Sequence, residues 1–147
     1  MNKKNKLLLY TFRTFSYLDK ISLNYPDIFI FGKLKEDIIK FECLVNELRP
    51  KHIFGFALTK NKSRFEKNAA NRFNKGKISK GGENQFKLYY PTNGFLNIGL
   101  SIKSTTTFCN WTMYKVEETI KETNIKFSFV HVKASDLNDL YRYLNSI

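Results

Sequence analysis

Cys109, His131 and Glu66 are the residues of this sequence whose types, taken together, can do chemistry. Cys109 follows a run of hydroxyl residues, Ser104-Thr105-Thr106-Thr107, and opens a segment with helical periodicity. The first turn of a helix presents unpaired N–H groups and the positive end of the helix dipole, which favour thiolate over thiol. The same N–H groups can stabilise the oxyanion formed when that thiolate attacks a carbonyl. His131 lies near the end of a strand-like run, with Phe127 and Phe129 at the same parity, and open α/β sheets gather their sites at strand ends. It is the natural base for Cys109. Glu66 is the lone acid between Lys60 and Lys80, and a carboxylate on an imidazole orients the ring and stabilises its charged form. Each residue also has a plain structural reading: a small buried hydrophobe for Cys109, a hydrogen-bonded core histidine for His131, a surface acid for Glu66. That structural reading is assigned to Cys43, inside a helical segment, and to His52, so Cys109 is predicted to be the more reactive thiol.

The elements that must position these residues follow from periodicity. Leu7–Phe12 (LLLYTF) and Asp27–Leu34 (DIFIFGKL) are short apolar runs that read as buried strands. Between Glu36 and Leu48, Ile38, Phe41, Val45 and Leu48 recur at helical spacing, and Arg49-Pro50 closes the helix. A strand follows at His52–Leu58, giving a strand, helix, strand order that predicts a parallel crossover. Thr59–Gly82 is polar and basic and reads as loops with a short helical piece. Phe86–Tyr90 and Phe95–Ile102 read as strands paired antiparallel across a Pro91-Thr92-Asn93-Gly94 turn. A helix from Cys109 to Glu122, a strand from Ile125 to Val132, and a last helix capped by Ser135 complete the chain. The predicted fold class is α/β, a three-layer α/β/α arrangement with a mixed, mostly parallel central sheet, as one domain over residues 1–147.

The chain has 147 residues, a net charge of +12, and apolar runs far too short to cross a bilayer. No secretory signal pattern follows the basic start, so a cytoplasmic location with no membrane association is expected. Cys43 and Cys109 read as free thiols, and no histidine or cysteine pair has metal spacing, so no cofactor or metal is expected. The charge is densest from Lys60 to Lys80, where Lys60, Lys62, Arg64, Lys67, Arg72, Lys75, Lys77 and Lys80 face Glu66 alone. It favours any polyanion, yet no nucleic-acid-binding motif accompanies it, so a solvated basic face with weak nonspecific polyanion binding is the ordinary expectation.

The order Glu66, Cys109, His131 and the residues around them resemble the pyroglutamyl peptidase (pyrrolidone-carboxylate peptidase) family of cysteine peptidases. The strongest block is FCNWTMYKVEETIKETNIKFSFVHV, Phe108 to Val132, which is similar to the family's Cys-Asn helix followed by its His-Val strand, with Ser101 matching a family serine upstream. Glu66-x-x-Ala69-x-Asn71 after Gly55-x-Ala57 is the second block, and Phe12-x-x-Phe15 after the first strand is the third. The resemblance implies Cys109 as nucleophile, His131 as general base and acid, Glu66 as orienting carboxylate, and Phe12 and Phe15 as contacts to a lactam ring. Phe56 and Phe108 are further candidates for the ring walls. It implies a peptide substrate with a blocked N-terminus and leaves a homo-oligomer open.

The sequence departs from the family where Thr11-Phe12-Arg13-Thr14-Phe15-Ser16 replaces a glycine- and proline-shaped loop, so a displaced pocket backbone is expected there. Ser104-Thr105 stands where the family has Ala-Gly, and the stretch Ser16–Pro26 reads as too short for the family's first crossover helix. The competing reading is a weak or inactive scaffold that binds an anionic partner such as RNA through Lys60–Lys80.

Overall fold

The computed structural model describes residues 6–91, 98–101 and 107–147. The apolar run Leu7–Phe12 forms β1, second from one edge of a six-stranded sheet. On one side lies β2 (Phe29–Phe31), and on the other β3 (His52–Leu58) followed by β8 (Lys126–Val132), all running parallel. The sheet continues through β4 (Arg64–Phe65), antiparallel to β8, to β7 (Gly99–Leu100), parallel to β4. It is therefore mixed and mostly parallel. A second, two-stranded sheet pairs β5 (Asn68–Ala70) antiparallel with β6 (Gln85–Lys87).

A parallel sheet needs cover on both faces, and the alternation of side chains divides the core accordingly. Tyr10, Phe12, Ile53, Phe127 and Phe129 meet α2 (Leu34–Leu48) and α3 (Phe108–Ile120) on one face. Leu9, Phe54, Phe56, Val130 and Val132 meet α1 (Leu18–Asn24) and α4 (Leu137–Ser146) on the other. The result is the three-layer α/β/α architecture. α2 stops where Arg49 adopts a left-handed conformation, φ 44°, its N–H bonded to Val45 O at 2.8 Å, just before Pro50.

Several expectations need correction. The stretch Ser16–Pro26 does hold a helix, the seven-residue α1, anchored by the fully buried Ile21. Thr59–Gly82 contains no helix; its ordered pieces are β4 and β5. The strand near Phe86 pairs with β5 rather than with the one ending near Ile102, because Asn68 and Lys87 are in register and Leu88 N–H bonds Lys67 O at 2.9 Å. Residues 92–97, on which most of the expected Pro91-Thr92-Asn93-Gly94 turn falls, and residues 102–106 lie outside the described residues. Ser135 sits within a 3₁₀ turn (Ala134–Asp136) instead of capping α4. Cys43 is exposed on α2, not buried. Neither cysteine is in a disulfide. Among the described residues no helix is long and apolar enough to cross a membrane.

Gly55 shows how tightly the sheet centre is filled. It is in register with Tyr10 on one side and Phe129 on the other, both fully buried. A Cβ there would stand 2.4 Å from Tyr10 Cζ and 2.8 Å from Phe129 Cδ2, so only glycine lets the two rings meet above the strand. Overpacking of this kind costs about 1–3 kcal/mol. Gly55→Ala is expected at the upper end of that range in urea denaturation, because neither ring has anywhere to go. A loss under about 0.5 kcal/mol would mean that the rings step aside.

Candidate active site

The C-terminal ends of β1, β3 and β8 meet the start of α3 around a cavity of about 210 Å³. Phe12 and Phe15 line it from the end of β1, Ala57 and Leu58 from β3, His131 from β8, and Thr107, Phe108 and Cys109 from the start of α3. Residues distant in the sequence thus share one wall because parallel strands place all their C-terminal ends on the same side.

Glu66 reaches His131 through the pairing of β4 with β8. Arg64 is in register with His131, Phe65 with Val130, and Glu66 N–H bonds Phe129 O at 2.9 Å. Phe65 points to the α1/α4 side, so Arg64 and Glu66 on either side of it point to the other face, where His131 lies. Glu66 Oε1 is 2.7 Å from His131 Nδ1, with Glu66 wholly buried and His131 7% exposed. A carboxylate oxygen can only accept, so the ring proton sits on Nδ1 and Nε2 remains available to exchange one. Arg64 Nε donates to the same oxygen at 3.1 Å, while Glu66 Oε2 is buried with no partner among the described residues. Ser101, reached by its family resemblance, holds the strand in place: its Oγ accepts Lys67 N–H at 3.0 Å and its N–H donates to Phe65 O at 2.8 Å.

Cys109 is the second residue of α3 and is 3% exposed. Burial pushes its thiol up to about 12; the nearby Glu66 charge adds to the rise, while a hydrogen bond with the Thr107 side chain and the Arg64 charge oppose it. The expected thiolate bias of a helix start is therefore overturned in the resting site, because desolvation outweighs the dipole. Asn110, next to Cys109, is also wholly buried. Its Oδ1 accepts Ala70 N–H, and its Nδ2 donates to Ala70 O and Arg72 O, each at 2.9 Å. This side chain, not singled out as a site residue from sequence, ties the start of α3 to the strand that follows Glu66. The Cys-Asn pair was its only signal.

The aromatic candidates separate into two groups. Phe12 and Phe108 meet edge-on at 4.8 Å, and Phe108, 38% exposed, stands at the mouth. Phe15 also lines the cavity, but Phe56 does not: it is fully buried and packs edge-on beneath Phe15 at 5.4 Å, as a support. The loop between them holds its shape without glycine. Thr11 Oγ1 donates to Phe56 O at 2.8 Å, Phe15 N–H closes a turn on Phe12 O at 2.9 Å, and no residue from Thr11 to Ser16 has a positive φ. His52 lies outside the cavity, its Nε2 2.8 Å from Ser128 Oγ and its pKa lowered to about 4 by burial.

No protein-family model and no curated protein matches the chain. Solved structures do. A pyrrolidone carboxyl peptidase from Thermococcus litoralis superposes with a TM-score of 0.73 at 17% identity, over 87% of this chain and 76% of that one. The pyroglutamyl peptidase I from Bacillus amyloliquefaciens gives 0.71 at 15% identity, over 95% and 91%. The pyrrolidone carboxyl peptidase from Thermus thermophilus gives 0.69 at 16% identity, over 92% and 88%. The chain has the fold of these proteins.

Burial and charge together predict the reactivity of the two thiols. At neutral pH iodoacetamide should label the exposed Cys43 at least about tenfold faster than Cys109, the reverse of the order expected from the sequence. Peptide mapping of a labelling time course reads the ratio. Faster labelling of Cys109 would mean that the thiol has already passed its proton to a neighbour.

Proposed function

We propose that this chain is a cysteine peptidase that removes an N-terminal pyroglutamyl residue, or a related cyclic acyl group, from peptides in the cytoplasm. The observation that carries the reading is the buried Glu66–His131 hydrogen bond beside a cavity that also holds Cys109, on the fold of solved pyroglutamyl peptidases.

In this reading the lactam ring enters between Phe12, Phe15 and Phe108, whose apolar faces suit a ring without a charged amine. The substrate carbonyl then lies over the start of α3. His131 takes the thiol proton on Nε2 as the sulfur attacks, and Glu66 stabilises the imidazolium that results. The N–H groups of the first turn of α3 receive the developing oxyanion. Protonated His131 gives its proton to the leaving amine, and water hydrolyses the thioester with His131 again as base. A thiol at about 12 is a poor nucleophile alone, so attack and proton transfer to His131 are coupled.

The buried thiol favours a second reading, a scaffold without turnover that binds an anionic partner through Lys60–Lys80. A fluorogenic pyroglutamyl amide separates the two. The peptidase reading expects hydrolysis that Cys109→Ala abolishes and His131→Ala lowers by about a thousandfold or more. Glu66→Gln should keep on the order of one per cent, since the amide can still contact Nδ1–H but cannot balance the imidazolium charge. Circular dichroism confirms that each variant is folded. Absence of hydrolysis by the native chain would hand the case to the second reading, and full activity in Cys109→Ala would remove Cys109 as the nucleophile.

A further inference from the structure

Beside the cavity, on residues adjoining its lining, stands positive charge that the proposed reaction does not use. Arg64 is anchored through Nε to Glu66, while its terminal nitrogens bond no described residue and its side chain is 27% exposed. It is therefore a guanidinium anchored at Nε and partly exposed, with its terminal nitrogens unengaged among the described residues, an arrangement that suits a carboxylate. Its register with His131 and its electrostatic effect on Cys109 place it beside the reacting groups.

Other cations stand on the same side of the sheet. Lys60 comes just after the lining residue Leu58 at the end of β3, and Lys133 directly follows β8; both are exposed. Backbone bonds knit these ends together, Thr59 N–H to Val132 O at 2.9 Å and Lys133 N–H to Ser63 Oγ at 2.8 Å. Three acids in this region are already engaged, whereas Asp19, in the first turn of α1, is exposed. Asp136 accepts the Ser63 hydroxyl at 2.5 Å, Asp37 accepts the N–H groups of Gly32 and Lys33, and Glu66 is buried under Arg64 and His131. A leaving chain that emerges from the cavity past Cys109 and His131 on the β4 side thus meets Arg64, Lys60 and Lys133, where Glu66 and Asp136 are already bonded.

We propose that Arg64, backed by Lys60 and Lys133, selects substrates whose leaving chain carries a carboxylate close to the scissile amide. The inference rests on the pyroglutamyl reading and adds to it the chemistry of the departing half. The carboxylate has two sources: an acidic side chain on the residue after the lactam, or the free C-terminus of a pyroglutamyl dipeptide. Each would sit within reach of a fixed fork, and opposite charge at a partly desolvated mouth raises both affinity and association rate.

Binding to Cys109→Ser chain, followed by calorimetry, tests this without turnover. The probes are pyroglutamyl-glutamate amide, pyroglutamyl-glutamine with a free C-terminus, pyroglutamyl-glutamine amide and pyroglutamyl-lysine amide, with acetyl-glutamate amide as a control lacking the lactam. The first two should bind about tenfold tighter than the neutral amide at low ionic strength, with the gap narrowing as salt is added. The relative strength of those two identifies the source of the carboxylate. Arg64→Gln should erase the preference, and Lys133→Glu, which leaves the Glu66 contact intact, should reduce it several-fold. Equal binding of all four lactam peptides overturns this inference alone, and binding of none overturns it together with the pyroglutamyl reading. Acetyl-glutamate amide binding as tightly as the acidic lactam peptide reduces the effect to nonspecific charge and also overturns it.

Discussion

A carboxylate with no exposure to water needs partners, and the Glu66 carboxylate is the constraint around which this site is arranged. Burying an unpaired charge costs several kcal/mol or more, so the position is tenable only where donors converge on it. The donors come from both strands of a short antiparallel pair: Arg64 from the residue two before it, His131 from across the ladder. β4 has only two residues and cannot hold this geometry by its own ladder bonds. Its ends are held by neighbours instead, Ser101 at the Glu66 end and Ser63, linked to Asp136 and Lys133, at the other. Loss of any of these would loosen the carboxylate before it disturbed the aromatic core.

The rest of the fold serves the same edge. Parallel strands β1, β3 and β8 deliver Phe12, Leu58 and His131 to one side, and α3 brings Cys109 to them end-on. The helix is fixed there by Asn110, whose amide uses its acceptor and both donor hydrogens on the β5 strand and the turn after it. Such a fully satisfied buried amide is rigid because any shift leaves several polar groups unpaired at once. The segment bearing Glu66 and the segment bearing Cys109 are thereby tied together, although they are far apart in sequence.

Much of this was legible from residue pattern, and what was not has a common cause. β3 was readable as a continuous apolar run that a parallel sheet buries on both faces, and α2 as a long periodic segment that buries one. The Glu66–His131 contact followed the order of the family motifs. The β5–β6 pairing was not readable, since Asn68–Ala70 is too short to show alternation and its partner lies across a long loop. α1 was missed because its helix is held by tertiary contact through Ile21 rather than by a clear amphipathic run. The exposure of Cys43 and the burial of Cys109 were invisible for a related reason. Helix position can be read from sequence, but the depth of a side chain under its neighbours cannot, and for a thiol depth outweighs the dipole.

That depth also bears on how such a site would run its reaction. Cys109 and the His131 ring stand beside one buried carboxylate that also pairs with Arg64. Moving the thiol proton to His131 creates a second ion pair without changing the net charge, and Glu66 already touches the ring that becomes positive. The cost of the step is then mostly the desolvated thiolate. An attacked carbonyl removes that cost, because the charge passes on to an oxygen facing the helix N–H groups, where low dielectric strengthens each hydrogen bond. Burial that would slow the reaction of Cys109 with casual electrophiles is in this way the same burial that would favour attack on a correctly seated acyl group. Selectivity would come from seating, and under that proposal the edge-on Phe12–Phe108 pair would control it.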